Sequence, residues 1–270
     1  AQKALTSYLE NYPQGANHLQ VQFLSAELYF QDENWNAARE QYASVLEQPT
    51  HEYTEQALVR ITQAMVNAEQ KSAALPYWKT LEDLAQFQEN KRYALFNLMQ
   101  LYYEQEQFSD AIAYAEKVVV LQSLGQKIKW DAYRVLARSA IALQNTKKAT
   151  KAYAVLEQAP DAALAVEALY FNAQQKHIAH DYASSNRLIE KIAQDFGNYP
   201  EWGAKSLLLM SQNFYQLDDA FQASFILESI VANFAQFPEI VEQAQLDLAN
   251  LKAIESKNNS SIKVEEENEN

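Results

Sequence analysis

With 270 residues the chain is long enough for one large domain or two average ones, since single cores stop growing near roughly 250 to 300 residues. Its formal charge of −13 argues against nucleic acid or an anionic membrane as partner, both of which call for a basic stripe along one face, and the lack of cysteine excludes disulfides, thiolate metal sites and cysteine nucleophiles. Only four Gly and six Pro punctuate a chain that is 48% apolar, so long helices are expected, yet no apolar run reaches the roughly 20 residues needed for direct membrane insertion.

The first element, AQKALTSYLENYP, reads as a polar helix closed by Pro13; it lacks the basic start and apolar middle of a signal peptide. Within it Ala4 is followed four positions later by Tyr8. This small-then-large pair recurs down the chain at Ala38 and Tyr42, Ala74 and Trp78, Ala111 and Ala115, Ala149 and Tyr153, Ser185 and Ile189, and Ala223 and Leu227. The small residues stand 34 to 38 apart, the length of a helical hairpin. Trp35, Phe108 and Tyr182 lie three positions before their small residue, so aromatic, small and large side chains share one face of the second helix of each hairpin.

The first helix carries two further rows. Twelve before each marker stand mostly small residues, Ala26, Thr62, Met99, Ala137, Ala173 and Ser211; nine before it stand mostly bulky ones, Tyr29, Met65, Tyr102, Ala140, Lys176 and Phe214. A small residue one turn from a bulky one lets two helices approach and interlock, and Ala140 and Lys176 break the bulky row. Pro49, Pro160, Pro200 and Pro238 follow second helices, where a residue that cannot continue a helix belongs; Pro76 instead comes about a turn after Ser72, a candidate N-cap.

Beyond the sixth hairpin, PEIVEQAQLDLANLKAIES is one helix without a partner, expected to be a polar C-terminal cap whose outer face carries Glu239, Glu242, Gln243 and Asn250. The helical array therefore covers 1–256, and 257–270, almost devoid of apolar residues, is expected to be a disordered acidic tail. Because the chain starts on a second helix with no first helix before it, it is expected to be the C-terminal part of a longer protein.

The small-large spacing, clearest in WNAAREQYASVLEQP and FSDAIAYAEKVV, resembles the tetratricopeptide repeat over about residues 1 to 250. Phrases such as LENYPQGANHLQVQFLSAELYF and WGAKSLLLMSQNFYQLDDAFQASFILESI further resemble the C-terminal region of large tetratricopeptide proteins of the Bacteroidetes type. The resemblance implies an all-α fold, a right-handed α-α superhelix of about six hairpins with an N-terminal half-repeat and a C-terminal capping helix. It also implies a scaffold in the periplasm or cell envelope, with the cytoplasm as the alternative. The glycine common in the family's first helix is absent here, its place taken by the row from Ala26 to Ser211.

In that family the first helices line a concave surface on which extended peptides or helices dock. Eleven before each marker stand Glu27, Gln63, Gln100, Arg138, Gln174 and Gln212, a polar ladder. Fifteen before it stand Phe23, Val59, Phe96, Arg134, Tyr170 and Leu208, and eight before it Phe30, Val66, Tyr103, Ile141, His177 and Tyr215. A glutamine amide both donates and accepts, so a glutamine row flanked by aromatic rings suits a peptide backbone without demanding one sequence; the competing reading makes the glutamines ordinary helix formers and the rings hairpin core. Arg134 and Arg138, four apart in a basic stretch, are set to clamp a partner's carboxylate or to pair with glutamates of neighbouring repeats.

Catalysis has no support in the sequence: there is no glycine-rich phosphate loop and no GxSxG. His177 and His180, in HIAH, share a helical face, but a lone HxxH is a weak metal motif, and no metal or cofactor is expected. The leading expectation is a protein-interaction scaffold holding a protein or peptide segment in its groove. The alternative is a structural array that packs against itself, or against the rest of a longer chain, without such a groove.

Overall fold

The computed structural model describes residues 1–121 and 125–268, with side chains as far as Ile254 and at Ser256. Among these residues there are fourteen α-helices, one 3-10 turn and no strand. Helix α1 is Gln2–Asn11; then come α2 (His18–Gln31), α3 (Trp35–Leu46), α4 (Thr54–Asn67), α5 (Leu75–Leu84), α6 (Gln88–Glu104), α7 (Phe108–Val119) and α8 (Gln126–Ala142). After α9 (Thr146–Leu156) follow α10 (Ala162–Ile178), α11 (Tyr182–Asp195), α12 (Pro200–Gln216), α13 (Ala220–Asn233) and α14 (Pro238–Asn268). The even-numbered helices are the expected first helices and the odd-numbered ones the second. The division at 256/257 falls inside α14, and the tail expected over 257–270 lies outside the described side chains.

Two compact units divide the chain, Ala1–Ala149 and Thr150–Asn270, with the boundary inside α9. Within the first unit each helix from α1 to α8 packs on the next, and α2 touches α4 as α6 touches α8; within the second, α10 touches α12 and α12 touches α14. First helices thus neighbour first helices, the arrangement of a stacked-hairpin repeat.

The markers explain the packing. Ala38, Ala74, Ala111, Ala149, Ser185 and Ala223 are fully buried, as are the first-helix partners Ala26, Thr62, Met99, Ala137 and Ala173. Four residues on from the markers, Tyr42 and Trp78 are also fully buried, with Ile189 and Leu227 nearly so. In the second unit Ala223, Ile226, Leu227 and Ile230 of α13 close on Ala244 and Leu251 of α14. Of the two residues that broke the bulky row, Ala140 is still fully buried, while Lys176 is exposed and pairs with Asp181 at 3.2 Å. Hydrogen bonds from Ser184, together with Lys176, hold the Asp181 carboxyl below its ordinary range.

Every hairpin turns the same way. Glu33, Glu69, Glu106, Gln144, His180 and Asp218, one per turn, take φ between 55° and 60°. Around each, two backbone bonds close a Schellman motif: in the first, Glu33 N–H donates to Phe30 O (3.2 Å) and Asn34 N–H to Tyr29 O (2.9 Å). The residue that ends one helix then caps the next. Asn34 accepts from Ala37 N, Asp181 from Ser184 N and Asp219 from Gln222 N, each through its side chain. One helix start differs from the expectation: Ser72 lies in the 3-10 turn Lys71–Ala74, so Ala74 holds the N-cap position of α5 without a side-chain capping bond, and Pro76 falls in its first turn.

Candidate functional site

Most residues of the three first-helix rows are half-buried. All six ladder residues, Glu27, Gln63, Gln100, Arg138, Gln174 and Gln212, are half-buried. The outer row reaches solvent most, with Ile141 and Tyr215 above two-fifths exposed, and Phe30, Tyr103 and His177 half-buried. In the inner row Val59, Phe96, Arg134, Tyr170 and Leu208 are half-buried like the ladder, and one member lies in the core. Phe23, expected on the open face, is 6% exposed, its ring stacked on Tyr53 at 4.7 Å and set edge-on to Tyr42 at 6.0 Å, so it belongs to the hairpin core. Tyr170 lies against Trp202 at 5.3 Å, and burial pushes its hydroxyl pKa up; Phe96 is half-buried.

In the first unit the polar groups of this face serve one another. The Glu27 carboxylate accepts from the Tyr42 hydroxyl at 2.5 Å and pairs with Arg60 at 3.3 Å; burial and the Glu27 charge together hold Tyr42 neutral far above the usual phenol range. Arg60 also donates to Gln63 (3.2 Å) and lies over the Phe30 ring, 4.7 Å from its centre. Arg134 pairs with Asp131 on its own helix at 3.3 Å and sits 5.9 Å from the centre of the Tyr103 ring, which meets Phe108 edge-on; Arg138 is engaged as well. The two guanidiniums share one helix, but neither stands ready as a bare carboxylate clamp.

A cavity of about 640 Å³ beside α4 looks larger than it is useful. Its Glu55 carboxylate accepts from Gln86 N (3.0 Å), Phe87 N (3.1 Å) and Asn90 Nδ2 (2.8 Å), tying α4 to the start of α6. His51 there is equally committed, its Nε2 donating to Val45 O (3.1 Å) and its Nδ1 accepting from Tyr53 N (3.1 Å). These are seam-closing groups.

The second unit is different. A cavity of about 320 Å³ opens among α10, α12, α13 and α14. Three expected groove residues, His177, Gln212 and Tyr215, line it, joined by Asp247, Asn250 and Ile254 of α14 over a floor that includes Leu227 and Leu251. Asn250, expected on the outer face of the cap, is exposed and also lines this cavity. The sequence does hold the cue: Gln174, Gln212 and Asn250 are each 38 apart, so α14 continues the ladder.

A buried polar network sets the back of this cavity. Asn213, fully buried, donates through Nδ2 to Ser185 Oγ (2.8 Å) and Asn186 Oδ1 (2.7 Å), and Ser185 donates to Ala173 O (2.9 Å). Because both amide hydrogens point that way, Asn213 Oδ1 accepts, and His177 Nδ1, 2.6 Å from it, is the donor. This fixes the ring and makes Nε2 of the neutral imidazole an acceptor. His180, the other histidine of HIAH, bonds the Tyr182 hydroxyl at 2.7 Å, so the two rings serve separate partners. Neither Asn213 nor Asp247 was singled out from the sequence, since a lone Asn or Asp on a helix carries no pattern.

Comparison with known proteins agrees with this architecture. Residues 93–121, the α6 and α7 hairpin, match the family model described as tetratricopeptide repeat. The C-terminal part of a TPR repeat-containing protein from Cytophaga hutchinsonii is similar in structure, with a TM-score of 0.55 at 14% identity over 89% of this chain and 93% of that one. A signal transduction ATPase with a tetratricopeptide repeat sensor from Pyrococcus horikoshii gives 0.53 at 13% identity, over 94% of this chain and 43% of that one. A tetratricopeptide repeat protein from Parabacteroides merdae gives 0.44 at 13% identity over 91% of both chains. No curated protein matches significantly in sequence. The chain has the tetratricopeptide repeat fold, and proteins of this fold generally act by binding other proteins and not by catalysis.

Proposed function

We propose that this chain is a protein-interaction scaffold whose first helices receive a partner segment, anchored in the cavity among α10, α12 and α14. The observation that carries this reading is the convergence of His177, Gln212 and Tyr215, from two rows and two helices, on one cavity of about 320 Å³. That volume is in the range of specific binding sites, and the lining combines an apolar floor with a few oriented polar groups. Within the second unit the half-buried first-helix residue Gln174 extends this face as a secondary contact, and a peptide laid across first helices is a recurring recognition mode; Gln63, Gln100 and Tyr103 are half-buried first-helix residues of the first unit.

A double variant, Gln212→Ala with Tyr215→Ala, tests this. Both side chains are partly exposed, so their loss is expected to leave Tm within about 2 °C while partner binding falls at least about tenfold. Unchanged binding, or a collapse of Tm in place of a binding defect, contradicts the assignment.

A second reading has one observation behind it. On α13, Phe221 and Phe225 are 77% and 62% exposed and four residues apart, an apolar stripe suited to helix-on-helix contact with another copy. Sedimentation that is concentration-independent, and unchanged in Phe225→Ser, removes that alternative. Placement in a bacterial cell envelope rests on the sequence resemblance and is checked by fractionation; no helix among the described residues is long and apolar enough to cross a membrane.

A further inference from the structure

We infer that the α10, α12 and α14 cavity takes a basic side chain, lysine or arginine, from its partner; this rests on the reading of that cavity as the partner-binding site. Asp247 is the carboxylate among its lining residues. Gln243 Nε2 donates to Asp247 Oδ1 at 2.8 Å, which orients the group while using one of about four acceptor positions a carboxylate offers. In its neutral form His177 adds an acceptor nitrogen, Nε2, because the ring hydrogen is then on Nδ1 and donated to Asn213. The amide oxygens of Gln212 and Asn250 add two more, so the polar part of the lining can surround an ammonium or guanidinium with acceptors.

The rest of the lining suits the remainder of such a side chain. Leu251 and Ile254 offer apolar surface to an aliphatic stem, and the 41% exposed Tyr215 ring offers its negative face to the cation. The surrounding field has the same sign: residues 150–254 hold 13 Asp and Glu against 6 Lys and Arg. The lysines near in sequence do not neutralise Asp247, since Lys252 pairs with Glu228 at 3.1 Å and Lys176 with Asp181 at 3.2 Å. A carboxylate anchor would meet Asp247 with no Lys or Arg in the lining, and a wholly apolar one would set the remaining acceptor positions of Asp247 and the amides of Gln212 and Asn250 against apolar surface.

Fluorescence anisotropy with the full chain tests this, using labelled Gly/Ser peptides that differ at a central residue: arginine, norleucine or glutamate. The arginine peptide is expected to bind at least about tenfold more tightly than the others, to weaken as NaCl rises, and to lose at least about tenfold in Asp247→Asn, as for a charge-assisted hydrogen bond. Asparagine preserves the bond from Gln243, and the peptide comparison itself needs no variant, so a folding defect does not blur the result. Equal binding of norleucine or glutamate peptides, still lost in Tyr215→Ala, overturns the basic anchor and leaves the cavity as a binding site. No peptide binding at about 1 mM, or binding indifferent to Tyr215→Ala, overturns both.

Discussion

Glu106 shows what single residues contribute and what they conceal. At φ 58° its Cβ crowds the following carbonyl, a conformation that costs an L-residue about 1 to 2 kcal/mol and that glycine adopts freely. Glycine in return loses about 0.5 to 1 kcal/mol more entropy on folding, so Glu106→Gly is expected to stabilise the protein by up to about 1 kcal/mol, and the β-branched Glu106→Val to destabilise it. Urea unfolding of the two variants decides; a destabilised glycine variant contradicts the account. The six turns were invisible in the sequence for the same reason, because Glu, Gln, His and Asp occupy positions where glycine or asparagine would have marked a helix end. Burial rows, by contrast, were legible at this scale: a fully buried Ala38, Ala111 or Ala223 has to be small wherever two helices touch, and recurrence at one spacing exposes the requirement. Phe23 marks the limit of that logic, since position on a helix gives direction but not what the neighbouring loop, here Tyr53, brings over it.

At the scale of elements, hairpins are joined by groups that reach from one into the next. Helix α6 has no cap of its own; Phe87, at its N-cap, makes no side-chain capping bond. Glu55 of α4, more than thirty residues earlier, supplies one by accepting from Gln86 N and Phe87 N. Glu55→Ala is expected to cost about 1 to 2 kcal/mol and to raise amide exchange at 86–90 ahead of exchange in α2. Uniform loosening of both segments would show that the contact is not a local cap. Capping across a hairpin boundary leaves no trace in local sequence, whereas Asn34, Asp181 and Asp219 cap the helices they directly precede. In helix α14, spacing from Gln212 shows that Asn250 keeps the ladder register, while Ala244 and Leu251 of the same helix pack on α13.

For the whole molecule, the fold was legible because a repeat states its packing requirement again in each hairpin, and the binding site was legible only in part because recognition needs no repetition. The two units use similar first-helix rows differently: the first commits Glu27, Arg60, Gln63 and Arg134 to internal pairs, and the second gathers His177, Gln212 and Tyr215 around a cavity. The proposed binding site therefore lies on the second unit, at the first-helix face and not along the exposed Phe221 and Phe225 stripe. Site-specific photo-crosslinking in the cell of origin tests that assignment most directly, with p-benzoylphenylalanine placed in turn at positions 215, 250 and 225. Adducts from 215 and 250 that map to one partner segment, with none from 225, are predicted; adducts from 225 alone would contradict the account.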